Sequence, residues 1–76
     1  MIFDRVREIL ADQLEVDPDS ITRDTDIIDD LAADSLDLAE LLAMLEEEYD
    51  LVMTDEAVHG VRTVGDVADM VESLTK

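Results

Sequence analysis

ADSLDLAELLAMLEEEYD, residues 33–50, is the stretch on which the reading of this chain turns. Stepping about 100° per residue from Leu36 gathers Leu41, Leu45, Leu38, Tyr49, Leu42, Ala39 and Ala43 into one broad apolar sector. Glu47, Glu40, Asp37 and Glu48 fill a contiguous sector opposite. The pattern predicts an amphipathic helix from about Ser35 to Asp50. Leu36 and Met44 fall inside or beside the acidic sector, where this chain's own core cannot easily cover both. They are either contacts for a partner or two exposed apolar side chains of the kind every surface carries. One serine, Ser35, stands at the head of the run, and no basic residue lies within it.

Working outward, the residues before this stretch predict a first helix with Ile2, Phe3, Val6, Ile9, Leu10 and Leu14 on its apolar face. Asp4, Glu8, Ala11, Asp12 and Glu15 take the other side. Pro18 follows closely, and the residue before a proline avoids the helical region, so this helix ends by Val16. Residues 17–34 read as a long connection anchored by Ile21, Ile27, Ile28 and Leu31. A connection this long in so small a chain is functional or pinned to the core. Beyond the central helix, TDEAVHG predicts one short helical turn, with Thr54 able to cap it and Gly60 able to end it in the left-handed conformation. A last helix begins near TVGD, where Thr63 and Asp66 have the spacing of a capping box, and carries the stripe Val64, Val67, Ala68, Val71 and Leu74. The expected fold is all-α, a small four-helix bundle of three longer helices and one short one, with a long loop between the first two. Residues 1–76 form a single domain in this reading, because a second core would need roughly 100 more residues.

Charge limits the partners. Against 22 Asp and Glu the chain sets Arg5, Arg7, Arg23, Arg62 and Lys76, for a net charge of −17. Between Arg23 and Arg62 lie 13 Asp and Glu and no Lys or Arg, so the negative field is concentrated mid-chain. A protein that binds nucleic acid by neutralising phosphates is excluded, and basic partners are expected. The 47% hydrophobic content is periodic, unlike a disordered acidic tail. With no cysteine there is no disulfide and no thiolate site, so the core holds by packing alone. No apolar run approaches the roughly 20 residues of a membrane span, and MIFDRVREIL is too acidic for a signal peptide. The expectation is a monomeric cytoplasmic protein that does not insert into membranes.

Several chemistries an acidic chain invites are missing. In DTDIIDDLAADS, Asp24, Asp26 and Asp29 do not match calcium-loop spacing, the turn glycine is absent, and Ser35 occupies the place of the bidentate glutamate. Clustered carboxylates can still hold divalent ions weakly. His59 is the single histidine; as a base for Ser35 it would need a third group to orient it. A surface histidine at the end of a short helix is the simpler account. No nucleophile elbow and no phosphate-cradling glycine loop exists in a chain whose only glycines are Gly60 and Gly65. No catalytic residue and no metal ligand is assigned, and the expected role is not that of an enzyme.

Ser35 can still be an acceptor for chemistry supplied by another enzyme. With Asp34 as the natural N-cap, Ser35 sits in the first turn, where free backbone N–H groups and the helix dipole suit an attached phosphate. Local chemistry alone leaves open that Ser35 is merely a cap. The whole string ADSLDLAELLAMLEEEYD, however, resembles the acyl carrier proteins, whose attachment signature is Asp-Ser-Leu at the head of an acidic, leucine-rich second helix. The resemblance runs on through LVMTDEAVHGVRTVGDV and the amphipathic first helix, covering nearly the whole chain.

The resemblance implies that a phosphopantetheinyl transferase moves 4′-phosphopantetheine from coenzyme A onto Ser35, flanked by Asp34 and Leu36, using magnesium held by the transferase. The arm's thiol then carries acyl chains as thioesters, which accords with a chain that has no thiol of its own. It further implies that Asp34, Asp37, Glu40, Glu46, Glu47 and Glu48, with Leu36 and Met44 among them, face basic patches on acyl-transfer and chain-elongation enzymes. Exposed charge pairs contribute little each and weaken with salt, so docking should be fast and reversible. Leu42, Leu45, Ala57 and Val61 are the expected lining of an acyl pocket, and core residues in any case. Fatty acid biosynthesis is the expected pathway. A specialised polyketide, lipid, D-alanyl or peptidyl carrier is the alternative within the family, and an acidic interaction module the alternative outside it. Departures from the family pattern fall at Ala32, where many members have glycine, and at Val52, Thr54, His59 and Gly60 near the third helix.

Overall fold

The computed structural model describes residues 1–75, except the side chains of Asp55 and Ala57. Helix α1 (Ile2–Leu14) leads through a single 3-10 turn (Pro18–Ser20) to α2 (Ser35–Tyr49), α3 (Asp55–His59) and α4 (Val64–Leu74). The fold is all-α, with the three longer helices and the short one that the periodicities predict. Among the described residues the only extended pairing is an isolated antiparallel bridge between Asp26 and Thr63.

Helix α1 packs chiefly against α4, with α2 on its flank. Val6 and Leu10 meet Val64, Val67 and Val71, all fully buried, and Leu41 and Leu45 close the core from α2. Because α1 is covered on two sides, its buried arc is wider than one stripe, and Ala11, expected on the polar side, is buried. The opposite correction applies to α2. Ala39 and Ala43 lie exposed at the rim of its apolar sector, and only Leu41, Leu42 and Leu45 are buried.

The long connection is pinned to the core by Ile21, Ile27 and Ala33, each at most 3% exposed. Ile28 is not an anchor; it stands 43% exposed in a turn held by Asp26, whose carboxylate accepts the N–H groups of Ile28 and Asp29 at 2.9 and 2.8 Å. Pro18, with its fixed φ, starts the 3-10 turn, and Asp17 caps it, a piece of structure the apolar periodicity does not register. Further on, backbone bonds join the connection to the start of α4: Ile27 N–H to the Arg62 carbonyl, Val64 N–H to Thr25 and Gly65 N–H to Arg23. Gly65 permits this approach, since a Cβ there would stand 2.8 Å from the Arg23 carbonyl oxygen.

Of the expected caps, those of α2 and α4 form, and the cap expected of Thr54 on α3 lies outside the described residues. Asp34 and Asp37 make a capping box at α2, and Thr63 and Asp66 make one at α4. Gly60, by contrast, does not enter the left-handed region. The end of α3 tightens instead into a turn in which Val61 N–H donates to the Val58 carbonyl, so no reversal is needed. The left-handed residues are Glu15 and Asp50, just past α1 and α2, and Ala32 at φ 56°.

Ala32 yields a first prediction. A Cβ in the left-handed region costs roughly 1–2 kcal/mol, of which glycine's freedom in the unfolded chain would offset roughly 0.5–1 kcal/mol. Ala32→Gly should therefore stabilise the fold by about 0.5–1 kcal/mol and raise the melting temperature by about 2–8 °C. Thermal unfolding followed by circular dichroism checks this, and an unchanged or lower midpoint would contradict it.

Candidate functional site

The site is built on the first turn of α2. Asp34, extended at φ −94° and ψ 179°, accepts the Asp37 N–H at 2.9 Å, while the Asp37 carboxylate accepts the Asp34 N–H at 3.2 Å. Asp34 is thus the cap, and Ser35 is the first helical residue, exposed, with no hydrogen bond to its hydroxyl among the described residues. The N–H groups of Ser35 and Leu36 are left without intrahelical partners by helix geometry, at the positive end of the dipole. The entry is held from behind by Ala33, buried, whose N–H donates to the Ile27 carbonyl at 3.2 Å. An anion attached to the Ser35 oxygen would meet free donors and open solvent.

The remaining surface of α2 divides into three parts. Ser35, Leu38, Ala39, Leu42 and Glu46 follow one another at i, i+3, i+4, i+7 and i+11 and so form one stripe. With Met53 and Val58 opposite, that stripe lines a trough of about 330 Å³. Leu36, Glu40, Ala43, Met44 and Glu47 make the outward face, with Leu36 65% and Met44 48% exposed. The edge toward α1 carries Asp37, whose carbonyl accepts from Gln13 Nε2 at 2.9 Å, and Glu48, which is held by Arg5.

The acids expected to face partners therefore have unlike surroundings. Glu40 and Glu47 are exposed on the outward face, and Asp37 is engaged in the cap. Glu48 accepts two bonds from Arg5 Nε, at 2.7 and 2.9 Å, and one from Arg5 Nη2 at 2.7 Å. Glu46, half-buried, accepts the Met53 N–H at 3.2 Å from the wall of the trough. Among the residues expected to line a pocket, Leu42 borders the trough and Leu45 lies wholly in the core. Val61 borders a separate depression with Asp26, Ile28, Asp29, His59 and Arg62, and the Ala57 side chain lies outside the described residues. Sequence reasoning missed Leu38, Ala39, Met53 and Val58 as trough residues. A helical stripe drawn from Ser35 would have found the first two; nothing local points to the others.

Three carboxylates are held below their ordinary range. Asp26 is lowered by the Asp29 N–H and then by Arg62, Glu48 by Arg5, and Asp66 chiefly by the Thr63 N–H. The folded state binds protons at these groups less readily than the unfolded chain does. Their contribution is complete above the ordinary values of 3.8 for the aspartates and 4.5 for Glu48, and drains away as pH falls through the lower folded values. The contribution of these groups to stability is therefore expected to fall below about pH 4, and Asp26→Asn should make that fall shallower. Urea midpoints measured from pH 6 down to about pH 2 check this; an identical acid limb in the variant would contradict it.

Among the described residues, no group of three or more His, Cys, Asp and Glu side chains is disposed to hold a metal ion, and no helix is long and apolar enough to cross a membrane. The family described as the phosphopantetheine attachment site matches residues 4–71. An acyl carrier protein of Clostridium acetobutylicum is 46% identical over 76 residues, covering 100% of this chain and 99% of that protein. One from Clostridium perfringens is 47% identical over 75 residues, 99% of each. In structure, the chain is similar to the acyl carrier protein from Enterococcus faecalis, with a TM-score of 0.83 and 30% identity over 96% of this chain and 92% of that one.

Proposed function

This chain belongs to the acyl carrier proteins, carriers rather than enzymes that bear a phosphopantetheine arm, and from that premise we propose that Ser35 receives the arm and that the protein serves fatty acid biosynthesis. The observation that carries the assignment is the position of Ser35. It is the first residue of α2, exposed, relieved of capping by Asp34, and it opens onto the apolar stripe of Leu38, Ala39 and Leu42. When bound, the arm supplies a thiol, a far better leaving group than a serine alkoxide, on which an acyl chain is held as a thioester.

The chain's own residues do the rest by position and charge. Asp34 and Asp37 fix the backbone around Ser35, so the hydroxyl is presented at one place. The free N–H groups of the first turn favour the phosphate that joins arm to serine. Exposed Glu40 and Glu47, flanked by Leu36 and Met44, suit brief contact with the basic patches of a transferase and of acyl-handling enzymes. The apolar trough suits a saturated chain, which supports fatty acids over amino acid cargo. The reading is completed by a single domain over residues 1–76, acting as a cytoplasmic monomer.

Incubation with coenzyme A and a broad-specificity phosphopantetheinyl transferase, followed by intact mass measurement, tests the attachment. One phosphopantetheinyl group per chain is expected, and no gain overturns the assignment. Protein recovered from its own cells should carry saturated or β-hydroxyacyl groups; an aminoacyl group there would overturn the pathway.

A further inference from the structure

The glutamates 46, 47 and 48 are adjacent in sequence and are all assigned to partner docking by the family resemblance, yet Glu46 turns away from that face. It stands eleven residues from Ser35 on the same helical stripe, and thus about 16 Å along the helix axis. Its carboxylate borders the trough and accepts the Met53 N–H at 3.2 Å, across the α2–α3 connection. The trough therefore has the loading serine at one end and an ionisable, hydrogen-bonded side chain at the other, with Leu38, Ala39 and Leu42 between.

We propose that Glu46 is the cargo stop of this carrier, a specificity-determining residue that sets how long an apolar acyl chain the trough accepts. The inference rests on Ser35 being the loading point. An acyl chain advancing past Leu42 gains by leaving water until its tail reaches Glu46. There it must strip water from a carboxylate, or break the bond that holds Met53 and the connection in place, and neither is repaid by an apolar tail. Chains longer than the stop leave their ends in solvent. Met53, flexible and opposite Glu46, moves with the connection when that bond is lost.

The test loads Ser35 with arms from acyl-coenzyme A donors of increasing length, butyryl to palmitoyl, and measures the folding equilibrium of each by urea titration. In the parent chain the folding constant should rise about fourfold per buried methylene and then level off at one chain length. Glu46→Leu should carry the rise on to longer chains at the same increment per methylene. Glu46→Gln, which keeps an acceptor for Met53 and the side chain's shape, guards against a fold lost to leucine and should level off at the parent's length or later. Transferase kcat/KM should be unchanged in both variants across salt concentrations, whereas Glu47→Gln should lower it. A levelling point identical in Glu46→Leu and parent overturns the proposal. So does a loss of transferase kcat/KM in Glu46→Gln matching that of Glu47→Gln, which would return Glu46 to docking. Failure to load any arm would show in the intact mass and overturns the Ser35 assignment instead.

Discussion

Ser35→Ala is expected to take up no arm at all and yet to melt within a few degrees of the parent. The two halves of this result have separate causes. The acceptor oxygen is removed outright, so loading falls to zero. Stability is kept because Asp34, not Ser35, caps the helix, and the Ser35 hydroxyl makes no hydrogen bond among the described residues. Alanine has the better helix propensity by a few tenths of a kcal/mol, so any shift should be slightly upward. Asp34→Ala provides the contrast. It deletes the acceptor for the Asp37 N–H and leaves half of the capping box, at a cost of about 1 kcal/mol, or about 4–8 °C in a domain of this size. Intact mass and a thermal melt of each variant check both statements. A Ser35→Ala chain that still gains an arm, or that unfolds early, would contradict the geometry of this turn.

Leu45→Ala is expected to remove a large share of the chain's stability and to lower its urea midpoint sharply. Leu45 is fully buried where α2 meets the core of α1 and α4. A leucine truncated in such a site costs about 2–5 kcal/mol, against a whole stability of about 4–11 kcal/mol for a chain of this length. The margin is narrowed further by the net charge of −17, which repels itself in the compact state. Added salt or magnesium should therefore recover part of the stability. Leu36→Ala, removing a side chain 65% exposed on the outward face, should change stability by no more than about 0.5 kcal/mol. Urea titrations followed by far-ultraviolet circular dichroism separate the two. Equal midpoints for the two variants would mean that α2 is not seated as described.

Most of the fold was legible in the chain because its signals are local. The helices follow from apolar spacing, and the Asp34 cap and the Thr63–Asp66 capping box lie within three positions of the helix starts, whereas the part of Asp37 in the first cap was not read. Ser35 at the head of α2 was legible for the same reason. Ala11, Ala39 and Ala43 were misplaced because alanine's small methyl gives no strong preference, so neighbouring elements decide whether it is covered. Gly60 was misread because glycine permits the left-handed conformation without requiring it, whereas Glu15, Ala32 and Asp50 are placed there by the structures around them.

The sequence by itself determined that this is a small acidic helical chain with one serine in the first turn of a capped, leucine-rich helix. It also determined the pattern that marks the family. Only the tertiary structure decided what each acid of Glu46, Glu47 and Glu48 does. Successive residues on a helix point about 100° apart, so one run of three like residues faces three surroundings. Glu48 meets Arg5, 43 positions away on α1; Glu46 meets the Met53 N–H across the trough; Glu47 meets solvent. Charge and spacing are written in the chain, but a carboxylate's partner is supplied by whatever distant segment the fold brings beside it.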